Sequence, residues 1–239
     1  MGFLDFLFGK KNDVEASITV SFSEESEANK LAKEATQLKK EKKYEEALGK
    51  FLKALDTQGS KDFSIQMKLR LPMYYQLLGR GDDAWREYQN LSLDYIGPYE
   101  QGPIQDKMRL HLQREKRYKT AIPHGIFSFI MGIQGLQSLG EQTLKTIGEF
   151  KRLEIETETL VKSLKQDMDR VSNAYTKDAI TNMLIPLLKK AKMEDIEQPL
   201  CTGVIAICDK IHFDGHRALY IEVHNLCQQI FLKHGYLER

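Results

Sequence analysis

Between Val14 and Phe22 the chain alternates. Val14, Ala16, Ile18, Val20 and Phe22 interleave with Glu15, Ser17, Thr19 and Ser21. A period of two predicts a half-buried strand. From Ser23 the apolar spacing lengthens to that of a helix. Glu24 and Glu25 follow Ser23 as acids would follow a helix cap. Almost everything beyond reads as helix, so the predicted class is all-α with a short N-terminal strand or extended arm. A lone strand leaves its edge groups unpaired. It needs a second copy, a partner strand, or a bed of the chain's own helices.

The helical part carries a repeat. Glu41–Leu48 reads EKKYEEAL and Glu115–Ile122 reads EKRYKTAI, an offset of 74, or twice 37. A single step of 37 brings Ala47, Ala84 and Ala121 into register, each followed by a large apolar residue: Leu48, Trp85 and Ile122. Leu38, Tyr75 and Leu112 recur at the same interval. Four residues after the alanines stand Phe51, Tyr88 and Gly125, so the register weakens there. Each unit is predicted to be two helices joined by a short turn: Lys42 and Lys43, Gly79 to Asp82, and Lys116 and Arg117. An alanine early in the second helix lets the first approach closely, and one hairpin cannot bury its apolar face without a stacked neighbour.

These residues resemble the tetratricopeptide repeat, whose units run about 34 residues with Ala, Tyr and Phe at matching places. Leu31, Ala35, Leu38, Tyr44, Ala47, Phe51 and Ala54 match in the first unit. Leu71, Tyr75, Gly79, Ala84, Tyr88 and Leu91 match in the second, where Pro72 replaces a small residue. Met108, Leu112, Tyr118, Ala121 and Ile122 match in the third, where Arg109 and Gly125 depart. The resemblance covers residues 28 to 135 and implies a stack of hairpins, an α-solenoid, with a concave face built from the first helices. Carried over, its groove positions are Asn29, Ala32, Thr36, Lys39 and Lys40; then Gln66, Leu69, Met73, Gln76 and Leu77; then Asp106, Leu110, Gln113 and Arg114. Such a face suits an amphipathic helix or extended peptide with apolar anchors and some acid. Ala32 and Thr36 stand where the family's chaperone clamp carries Lys and Asn, which argues against that ligand.

The second half predicts other helices. Gly140 to Tyr175 reads as one long helix with Leu153, Leu160, Leu164, Met168, Val171 and Tyr175 on one face. Thr176 to Lys190 reads as another, bent or split by Pro186. Asp195–Ile211 and His216–His234 read as a closing hairpin around Gly215. The expected division is an arm over 1–23, three hairpins over 24–138, and a C-terminal helical bundle over 139–239.

The charges balance, with 35 Lys plus Arg against 34 Asp plus Glu in 239 residues. That argues against a nucleic-acid binder. Three cysteines exclude a disulfide framework and fit a reducing, cytoplasmic setting. The N-terminal Phe3, Leu4, Phe6, Leu7 and Phe8 are interrupted by Asp5 and followed by lysines, the reverse of a secretory signal. They are expected to dock on the body of the protein or on a second copy. Contact with a membrane surface or a partner groove is the less favoured reading. Ala121 to Gly140 is apolar but holds His124 and four glycines, a poor membrane span.

Cys208, His212, His224 and Cys227 form the one metal-like cluster. Their spacing fits no common zinc pattern, so no metal and no cofactor is expected. Neither a nucleophile elbow nor a phosphate loop nor a dinucleotide fingerprint is present. The expectation is therefore a non-catalytic protein-binding adaptor or scaffold. The alternatives are a component that self-associates through its N-terminal arm, or a metal protein or enzyme using the Cys/His cluster.

Overall fold

In a computed structural model, residues 26–95, 97–151 and 158–192 are described, together with 203, 204, 206, 207, 209 and 210. Helices dominate, and no strand occurs among the described residues. The strand expected at 14–22, the apolar Phe3–Phe8 segment and nearly all of the expected closing hairpin lie outside them. Among the described residues nine α-helices follow in order. They are α1 (Glu27–Lys40), α2 (Tyr44–Asp56), α3 (Ile65–Lys68), α4 (Arg70–Leu77), α5 (Gly81–Asp94), α6 (Pro98–Arg114), α7 (Tyr118–Lys151), α8 (Glu158–Asp178) and α9 (Ile185–Ala191).

Helices α1 and α2 pair as a hairpin, as do α4 and α5, and α6 and α7. The 37-residue interval survives at the level of single hydrogen bonds. Lys42, Gly79 and Lys116 each take a left-handed conformation, with φ of 62°, 71° and 61°. The next N–H reaches back five residues in every turn: Lys43 to the Leu38 carbonyl, Arg80 to Tyr75 and Arg117 to Leu112, all at 2.9 Å. Lys42, Gly79 and Lys116 themselves donate to Lys39, Gln76 and Gln113. This is a Schellman closure, which satisfies carbonyls that a helix end otherwise leaves open. Ala47, Ala84 and Ala121 are all fully buried (0%) one turn later, where the two helices cross.

The second turn is tighter than the sequence suggests, since Gly81 and Asp82 already belong to α5. Helix α1 begins after Ser26, whose hydroxyl accepts from the Asn29 N–H at 3.3 Å; the cap expected at Ser23 lies outside the described residues. The first helix of the second unit is broken at Leu69, between α3 and α4. Pro72 accounts for the break: it has no N–H to give, and its ring crowds the Lys68 carbonyl.

Neighbouring hairpins stack because α2 packs on α4 and α5 packs on α6. Phe51 sits between Phe63 and Tyr74, with ring centroids 6.4 and 5.5 Å away. Burying aromatic side chains of this size contributes on the order of 2–3 kcal/mol each.

Here the second half departs from expectation. Gly140–Tyr175 is not one helix. Helix α7 runs unbroken from Tyr118 to Lys151, through the division expected at 138, and Gly140 on it lies against Met168 of α8, which one continuous helix could not allow. The apolar run 121–140 is the middle of α7. Its Ile122, Ile126, Phe127, Ile130 and Met131 form the main core with Ile180, Leu184 and Leu187. Small residues let partners close on it: a side chain at Gly132 would strike the Tyr175 ring, and one at Gly140 the Met168 thioether. Between α8 and α9 the chain makes a π-helical stretch, Ala179–Leu184. Pro186, just after it, is the expected disruption in its observed form. No helix among the described residues is long and apolar enough to cross a membrane.

Candidate functional site

The first helices of the three units are tied side by side through their groove positions and Arg70 beside them. The Arg70 guanidinium donates to Thr36 Oγ1 at 3.0 Å, and Thr36 Oγ1 donates to the Ala32 carbonyl at 2.9 Å. The Lys39 ammonium lies 4.0 Å from Met73 Sδ. One unit further, Arg114 donates to Gln76 Oε1, while the Gln76 amide donates to His111 Nδ1 at 2.7 Å and to the Tyr88 hydroxyl at 3.3 Å. Arg109 spans Asp106 and Gln113, the latter at 2.9 Å.

Two clefts open along this face. The first, about 550 Å³, lies between α1 and α3–α4. It is lined by Asn29, Ala32, Lys33, Thr36, Lys40 and Arg70, among others. The second, about 710 Å³, runs from Gln66 across α6 and α7 to α8 and the π stretch. Its walls include Asp106, Arg109, Met131, Leu136 and Met183. Tyr99, Leu139 and Tyr175, which are 51%, 56% and 36% exposed, also face it. Large apolar groups left this open in one cleft mark a surface suited to a partner.

The expected groove residues divide. Lys39, Met73, Gln76, Leu110 and Gln113 are half-buried, while Lys40, Gln66, Leu77 and Arg114 are exposed. Leu69 is a correction: it is 5% exposed and packs with Tyr88, Ile104 and Met108 in the core. The break before α4 rotates it out of the register that an unbroken helix would have. Tyr99, Leu139 and Tyr175 were not foreseen as one surface, because three helices, α6, α7 and α8, bring them together. Their only sequence signal is the small-residue spacing of 125, 132, 135 and 140, which marks α7 as a close-packing helix.

Burial governs the electrostatics. His111 is held below its ordinary pKa by desolvation, which outweighs the pull of Glu115 at 3.1 Å. Burial pushes the Tyr88 hydroxyl up to about 12, so it is a neutral donor and acceptor at any physiological pH. Cys208, His212, His224 and Cys227 lie outside the described residues. Among the described ones, no three His, Cys, Asp or Glu side chains gather as metal ligands would.

No family model matches the chain, nor does any curated protein or solved structure.

Proposed function

We propose that the chain is a non-catalytic binding module of the tetratricopeptide-repeat kind, which holds a segment of a partner protein along the face of α1, α3–α4 and α6. One observation carries this reading: side chains at the groove positions bond from one unit to the next, with Arg70 reaching in from beside them. Thr36 meets Arg70, Lys39 meets Met73, and Gln76 meets Arg114. A preformed, laterally braced face costs little ordering on binding. Lys40, Arg70 and Arg114 have no ion-paired carboxylate among the described residues. The partner segment is therefore acidic, with apolar anchors for the Tyr99, Leu139 and Tyr175 end of the face.

The test is capture of partners from native cell extract by the full chain, with identification by mass spectrometry. Met73→Glu places a carboxylate in the middle of the face. It should abolish capture of a partner that binds the wild type, with helicity unchanged. Arg114→Glu should weaken the same partner and flatten its loss with salt, because an attraction that salt screens is gone. A partner held equally by wild type, Met73→Glu and Leu110→Glu refutes the groove.

A further inference from the structure

A separate cavity of about 500 Å³ opens on the other side of the second and third hairpins, between α5, α6, the start of α7 and Gly203, Ala206, Ile207 and Lys210. Its body is apolar, with Trp85, Leu93, Met108, Pro123 and Ile207 among its walls. Its rim carries Lys119 and Lys210, and no carboxylate among the described residues lines it. Gly203 lies against α7 so closely that a side chain there would strike the Pro123 ring.

A buried polar chain ends at this cavity. The Gln101 amide donates to the backbone carbonyls of Ser92 at 2.7 Å and Tyr95 at 2.6 Å. The Gln105 amide donates to Ser92 Oγ at 3.0 Å and to Gln101 Oε1 at 2.9 Å. With its amide hydrogens so engaged, Gln105 turns its oxygen to His124 Nδ1 at 2.6 Å. An amide oxygen only accepts, so His124 carries its proton on Nδ1 and keeps a lone pair on Nε2. Burial holds this ring neutral, with its pKa lowered to about 4. Trp85 stands edge-on to His124 at 5.8 Å. The Gln89 oxygen, in the orientation its donors require, accepts from Trp85 Nε1 at 3.1 Å and Lys210 Nζ at 2.5 Å.

A tautomer locked by a chain of three side chains, an apolar chamber and an acid-free cationic rim are not needed to close a helical stack. We infer that this cavity binds a small organic anion. Its ring-bearing apolar body lies against Trp85 and Met108, an N–H or O–H donor meets His124 Nε2, and its carboxylate or sulfonate sits between Lys119 and Lys210. The site is independent of the groove on the opposite face.

Trp85 is the single tryptophan of the chain, so energy transfer from it reports the cavity directly. The probe is anilinonaphthalene sulfonate, which combines fused rings, one N–H and one sulfonate, titrated into the full chain. Saturable one-site transfer from Trp85 is expected, weakened at least about tenfold in the Lys119→Glu, Lys210→Glu double variant. Both lysines are exposed, so folding is unaffected. N-phenylnaphthylamine, the same molecule without its sulfonate, should bind at least about tenfold more weakly. Leu139→Glu, in the other cleft, should leave the titration unchanged. Equal affinity for the charge-reversed chain, equal affinity for the neutral analogue, or loss of transfer in Leu139→Glu overturns the assignment.

Discussion

The three Schellman turns set a sharp test of the repeat. Lys42 and Lys116 hold φ near 62° and 61° with side chains, while Gly79 holds 71° without one. For an L-residue other than glycine this conformation costs about 1–2 kcal/mol. Glycine avoids that cost but loses about 0.4–1 kcal/mol more chain entropy on folding. Lys42→Gly and Lys116→Gly should therefore each stabilise the fold by about 0.5–1 kcal/mol, the difference between those two effects. Gly79→Ala should run the other way by a similar or somewhat larger amount. Nothing lies within 4 Å of a Cβ built at Gly79, so its effect is conformational and not steric. The two lysines are exposed and sit in different hairpins, so their effects should add. In urea unfolding the double glycine variant should raise the midpoint with m unchanged, equivalent to about 2–8 °C in Tm for a chain of this size. If Lys42→Gly and Gly79→Ala move the midpoint in the same direction, the shared turn geometry is wrong.

Two further outcomes follow from the buried polar chain. Gln105→Leu strips partners from Ser92, Gln101 and His124 together, and should lower stability by roughly 2–4 kcal/mol in the same assay. Stability should also fall with acid. His124 binds no proton in the folded state until about pH 4, whereas the unfolded side chain binds one near its ordinary value of 6.5. The unfolded state thus takes up more protons between those limits, so stability drops as pH falls from about 6.5 towards 4. His111, also lowered by burial, steepens the slope in the same direction. His124→Gln should flatten the profile across that window. A profile unchanged by it means the ring is not the buried neutral group described.

Local chemistry made the hairpins legible. The alanine register and the short turns mark where two helices must cross and where the chain must reverse. Both are short-range demands, met within a few residues of Ala47, Ala84 and Ala121. Pro186 likewise announced a local fault, because a missing N–H disturbs whatever helix contains it. What the pattern left open was long-range. An apolar stretch such as 121–140 reads the same whether it ends a hairpin or forms the middle of a longer core helix. Only the approach of α6, α8 and the π stretch to its glycines distinguishes the two. Leu69 changed roles for a related reason: periodicity assumes an unbroken helix, and Pro72 interrupts it.

The sequence by itself determined the helical class, the 37-residue interval and the three reversals, since spacing, turn residues and burial of small side chains act through near neighbours. The tertiary structure decided where chemistry gathers. His124 looks like an incidental polar residue in an apolar run until Gln101, Ser92 and Gln105 line up behind it from two other helices. Tyr99, Leu139 and Tyr175 become one surface only when α6, α7 and α8 pack. Such juxtapositions depend on helix rotation and crossing, which no single segment encodes alone.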